Sequence, residues 1–108
     1  MTHRFRHFDG AEPAAPNERW RIDFVVLGGE GRLVVVDEFI GERVAEEVCT
    51  RTGAAVVRAL VAAAASRGVP REVVGDMAAE FMSDDVRQWA SENRVAWTCR
   101  PRQTGRRR

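Results

Sequence analysis

Two carboxylates in this chain occupy unusual surroundings. Asp23 lies inside the apolar run from Trp20 to Leu27, where an ionised side chain without a partner costs several kcal/mol. Asp76 follows Val73-Val74-Gly75, a short β-branched segment placed after a glycine and a proline. If these segments are neighbouring strands, the two carboxylates project toward one point and repel unless a cation or a proton lies between them. Oxygen-only donors select hard divalent cations, Mg²⁺ or Mn²⁺. A plainer reading uses the same residues: Asp23 solvated near the end of its strand, and Asp76 capping a turn.

Other reactive side chains carry weaker signals. His3, His7 and Asp9 have metal-like spacing but sit in a segment with no predicted helix, and read as a solvated tail. The glycines at 28, 29 and 31 are followed by no Gly-Lys-Ser/Thr, so a hairpin turn explains them better than a phosphate loop. Cys49 and Cys99 lack C-x-x-C spacing and read as reduced thiols of a cytosolic protein. Asp84 and Asp85 read as helix-start charges, and Trp89 and Trp97 as core packing.

The elements that must position the aspartates follow from periodicity. Residues 1–18 read as a polar flexible leader punctuated by Asp9-Gly10, Pro13 and Pro16. Both alternating sets of Trp20 to Leu27 are mostly apolar, the pattern of a central strand covered on both faces. A glycine-rich turn leads to Leu33–Val36, giving a hairpin, and Arg43 to Cys49 suits a third, more exposed edge strand. Thr52 caps a helix whose Val56, Val57, Leu60, Val61 and Ala64 share one face, and Gly68 and Pro70 end it. Val73-Val74 forms the next strand, Ser83 caps a second helix, and Val95, Trp97 and Cys99 alternate as the last strand. The order β-β-β-α-β-α-β predicts an α/β fold. Its mixed five-stranded sheet has antiparallel hairpin strands first, then parallel strands, with flanking helices.

Composition sets the outer bounds. With 108 residues, 44% hydrophobic and 31% charged, the chain has the balance of one globular domain rather than a disordered or fibrous protein. No apolar stretch approaches the roughly 20 residues that span a bilayer. The basic start lacks the apolar core of a secretory signal, so the expected setting is cytoplasmic, away from any membrane. All 17 basic residues are arginine. Five lie in 100–108 without an acid, leaving the remainder of this +1 chain net acidic by about four charges.

Several separated motifs resemble the catalytic core of insertion-sequence transposases with a retroviral-type integrase domain. Pro16-Asn17-Glu18-Arg19-Trp20-Arg21-Ile22-Asp23-Phe24 is similar to that family's P-N-x-x-W-x-x-D-F, and Val34 to Phe39 to its V-V-D-D-F. Gly68-Val69-Pro70 followed by Asp76 to Phe81 is similar to R-G-x-P…S-D-N-G-P-E-F. The likeness runs over about residues 16–101, in the family's order. It implies a ribonuclease H-like fold, with a core over 19–101; the tail over 102–108, where the pattern stops, reads as disordered and basic. It also implies a DNA partner and strand transfer by two divalent cations between two aspartates and a glutamate. Asp23 and Asp76 match the first and second aspartates, as catalytic and metal residues. Asp37 matches a structural hairpin position, and Glu80 a non-catalytic glutamate.

The sequence also departs from the family. Met77, Ala78 and Ala79 replace the asparagine, glycine and proline after the second aspartate. Counted from Asp76, the family's third carboxylate falls beyond Arg108, and the divergent arginine-rich end is compatible with an out-of-frame read. The expectation is therefore a truncated integrase core, inactive or weakly active for want of a metal ligand. It would be marginal or self-associating because one sheet face stays partly uncovered. The competing reading is a non-enzymatic remnant that binds DNA, dimerises or pairs with a full-length transposase. A further one is a two-carboxylate nuclease with a looser site.

Overall fold

The hairpin that carries Asp23 is built around two glycines. The computed structural model describes residues 5–7, 12–48, 50–76 and 78–100, with backbone alone for 5–7 and 48. Strands β2 (Arg19–Leu27) and β3 (Glu30–Asp37) are joined through Gly28 and Gly29, at φ 61° and 82°. Positive φ at both central residues matches the twist of the flanking strands, and glycine adopts it without a Cβ penalty. The tight turn fixes the register from Leu27 opposite Glu30 to Trp20 opposite Asp37. Strand β4 (Glu42–Val48) continues the meander antiparallel to β3.

Two capped helices return the chain to the sheet. Helix α1 (Gly53–Arg67) starts where the Thr52 hydroxyl accepts from the Ala55 N–H at 3.2 Å, and it ends at Gly68. The crossover delivers β5 (Glu72–Gly75) parallel to β2. A short 3-10 helix (Ala79–Met82) leads to α2 (Asp84–Glu92), where the Ser83 hydroxyl accepts from Val86 N–H and Asp84 and Asp85 fill the positive first turn. Strand β6 (Ala96–Cys99) then lies parallel to β5.

With β1 at Phe5–His7, the sheet order is β1-β6-β5-β2-β3-β4, with parallel pairing from β1 to β2 and antiparallel pairing from β2 to β4. This is the expected mixed sheet with one strand more. β1 (Phe5–His7) pairs along the outer edge of β6, inside the segment expected to be a leader without structure. Three residues held by backbone pairing are too few to leave a periodic signature in sequence. The side chains of His3, His7 and Asp9, together with Cys49, Met77 and the tail 102–108, lie outside the described residues.

One core forms, on one face of the sheet. Trp20 and Ile22 of β2, Leu33 and Val35 of β3, Val73 of β5 and Trp97 of β6 meet Val56 and Leu60 of α1 and Val86 and Trp89 of α2. Nine of these ten side chains have no exposure at all, and each contributes roughly 1.5–3 kcal/mol by leaving water. The expectation that β2 is covered on both faces is corrected here. Both helices pack on the even-numbered side of β2, and the odd-numbered side carries Arg19, Arg21 and Asp23. The far end of the hairpin runs past the core, leaving Val26 and Leu27 exposed.

Candidate functional site

The sheet places Asp23 on β2 and Asp76 immediately after β5, the parallel neighbour of β2. β2 and β5 pair with Arg19 beside Glu72, Trp20 beside Val73 and Arg21 beside Val74. The pairing ends at Arg21 and Val74, and its offset, extended two residues, would set position 23 opposite position 76. Gly75 lets β5 sit close against Ile22 on the core side: a Cβ there would stand 3.1 Å from Ile22 Cγ1. The Asp23 side chain is 54% exposed, so it is not the buried charge that the surrounding letters suggested. Its Oδ2 accepts from Arg21 Nε at 3.0 Å. Asp76 is half-buried, and its Oδ1 accepts from the Ala78 N–H at 2.9 Å, a turn-capping bond that orients the carboxyl group. Features of both sequence readings are present together: a solvated Asp23, a turn-capping Asp76, and neighbouring strands that lead to them.

The donor chemistry suits a hard divalent cation. Both side chains offer carboxylate oxygen, one already oriented by a backbone donor and the other open to water, with water available to complete the shell. Among the described residues no group of three or more His, Cys, Asp or Glu side chains is arranged to hold a metal. Asp76 also acts on its neighbour across β6. Burial pushes the Cys99 thiol above its ordinary value, the charge of Asp76 raises it further, and Arg87 offsets part of this. Cys99 is a free, buried thiol, as its isolation in sequence predicts.

Beside Asp23 lies a charged network that sequence reasoning missed. Glu38 Oε1 accepts from Arg19 Nε at 2.8 Å, and Glu38 Oε2 accepts from an Arg100 amino group at 3.1 Å and from Arg21 at 3.5 Å. Arg19 also lies 3.7 Å from Glu72, whose other oxygen accepts from the Thr98 hydroxyl. Burial pushes the Glu38 carboxyl up, but hydrogen bonds from Arg19 and Arg100 and their charges outweigh it, and the net pKa lies below the ordinary value. Glu38, Arg19, Arg21 and Arg100 line a cavity of about 280 Å³ with Glu12, Val36 and Gly41. The available signal was Arg19, Arg21 and Asp23 at alternate positions, which puts three charges on one side of a strand.

The remaining motif residues hold the scaffold. Asn17, at φ 66°, accepts from the Trp20 indole N–H at 2.8 Å and donates to the Gly68 carbonyl at 3.3 Å. Asp37, 2% exposed, accepts from the backbone N–H groups of Asn17 at 2.6 Å, Phe39 at 2.9 Å and Ile40 at 3.4 Å. Two turns are thereby tied to one buried carboxylate, the structural role expected of Asp37. Glu80 is buried in a two-pronged pair with Arg51, at 3.0 and 2.9 Å, and that guanidinium stacks 4.7 Å from the centre of the Phe24 ring.

Comparisons with known proteins agree with one another. A family model described as the integrase core domain matches residues 13–104. An uncharacterized 31.7 kDa protein of insertion element IS407 from Burkholderia multivorans is 45% identical over 91 residues, which is 79% of this chain and 33% of that relative. The chain thus spans about a third of the curated relative it matches. Among solved structures, the HTLV-2 integrase catalytic core domain in complex with magnesium, in its dimeric form, superposes with a TM-score of 0.74 at 19% identity. That match covers 78% of this chain and 60% of the other. The trimeric form of the same domain gives a TM-score of 0.71, also at 19% identity. At such identity the likeness is one of fold.

Proposed function

The chain belongs to the integrase core domain family, with the ribonuclease H-like fold of a transposase catalytic core, and from that membership we propose that Asp23 and Asp76 form the metal-binding pair of a DNA strand-transfer centre. The observation that supports this reading is the β2–β5 pairing, whose offset, extended past its last paired residues, sets positions 23 and 76 opposite each other. Asp23 would bind from the open side of the sheet, and Asp76 from a carboxyl oriented by the Ala78 N–H. A bound Mg²⁺ or Mn²⁺ supplies charge neutralisation for the phosphoryl oxygens of a DNA strand. The chain's own contribution is to hold the carboxylates on two strands whose relative position the core fixes. The magnesium-bound HTLV-2 neighbour supports a divalent cation, and its dimeric and trimeric forms support self-association. No helix of the described residues is long and apolar enough to cross a membrane.

The test is strand transfer on a DNA duplex with Mn²⁺, comparing the chain with Asp23→Asn and Asp76→Asn. Joining that drops at least 100-fold in each variant supports the assignment, since one ligand of a two-carboxylate site is lost. Joining that survives both substitutions overturns it. A second reading is a non-enzymatic DNA-binding or dimerising module, and among the described residues no cluster of three or more His, Cys, Asp or Glu side chains could hold a metal. Mobility shift of DNA without nicking or joining favours it, and nicking without joining favours a two-carboxylate nuclease.

A further inference from the structure

Arg21 stands between two carboxylates with different needs for it. Its Nε donates to Asp23 at 3.0 Å, while its terminal amino group lies 3.5 Å from Glu38. Glu38 already holds shorter bonds from Arg19 and Arg100, so Arg21 is the weakest of its three partners. The Arg21 and Asp23 side chains are 38% and 54% exposed, so their pairing is a solvated one that a stronger cation can displace. The displaced guanidinium has an acceptor within reach on the same sheet face, because Glu38 Oε2 is already at its edge.

We propose that Arg21 is a resident counter-ion that sets the affinity of Asp23 for a divalent cation. With no metal bound it neutralises Asp23, and metal entry moves it fully onto Glu38. Arg21 is thus a positioning residue. The inference rests on the reading of Asp23 and Asp76 as metal ligands, and it adds the side chain that competes for one of them. Charge repulsion and competition for Oδ2 act in the same direction, so removing the guanidinium tightens binding.

The experiment is a Mn²⁺ titration of the 108-residue chain at neutral pH and low ionic strength, with free Mn²⁺ followed by electron paramagnetic resonance. Arg21→Gln should tighten Mn²⁺ about fivefold, the scale of an exposed ion pair. Arg21→Lys keeps the charge and should return the affinity toward that of the parent chain. Adding Asp23→Asn to Arg21→Gln should abolish the gain. If Arg21→Gln binds no tighter while Asp23→Asn and Asp76→Asn each weaken binding, the counter-ion role is overturned and the metal assignment stands. If both asparagine variants bind Mn²⁺ like the parent, or if no chain including Arg21→Gln binds it, the metal assignment fails and the counter-ion role falls with it.

Discussion

Asp37 shows how much one buried carboxylate can organise. Three backbone N–H groups converge on it from two turns, and the side chain is almost wholly removed from solvent. Removing the acceptor strands those donors, and each buried donor left unsatisfied costs about 1–3 kcal/mol. Asp37→Ala should therefore lower stability by about 3 kcal/mol, measured as the shift in urea midpoint at unchanged slope. Asp37→Asn retains one acceptor oxygen and should lose about half as much. At this scale the sequence was partly legible. A lone aspartate in an apolar strand announces itself, so Asp23 stood out from letters alone, whereas Asp76 became a candidate through its place after Val73-Val74-Gly75 and through the resemblance. The letters could not say which side of the strand Asp23 takes. Its neighbours Trp20, Ile22 and Phe24 are inward at even positions, and Asp23 follows the odd-numbered arginines outward.

Elements were the most legible level, because caps and periodicity are local. Thr52 and Ser83 cap α1 and α2 where the pattern of hydroxyl before apolar repeat puts them, and the two-glycine turn sets the β2–β3 register. Thr52→Ala should cost about 1 kcal/mol by removing the acceptor for the Ala55 N–H, read from the same denaturation midpoint. Strand β1 was illegible for the opposite reason. Its three residues are held by the edge of β6, a contact that depends on the finished sheet and not on local pattern. The coverage of β2 failed similarly: two apolar sets were visible, yet Val26 and Leu27 belong to a hairpin end that leaves the core behind.

For the whole molecule, the division between an oily face and an ionic face governs behaviour in solution. On the second face, expected to stay partly uncovered, Arg19 and Arg21 of β2, Glu72 of β5 and Glu38 just after β3 stand in mutual pairs beside Val34 and Val36 of β3. The folded-state pKa of Glu38 lies below the ordinary 4.5, so its contribution to stability is full above that value and is lost as pH falls through the folded value. Glu38→Gln should be less stable than the parent at pH 7. The gap should narrow as pH falls below 4.5, checked by thermal melting across that range. The variant keeps its amide at every pH, so its acid limb should be the flatter of the two.

That ionic face also decides how anything could dock on it. A visitor offering only greasy side chains would have to strip water from guanidinium and carboxylate groups while giving nothing back, a losing exchange. One that carries matched charges can trade partners with Glu38 and its arginines, forming quickly and letting go as brine thickens. Association on this side of the sheet would therefore be tuned by ionic strength, while the tryptophan-lined interior stays indifferent to it.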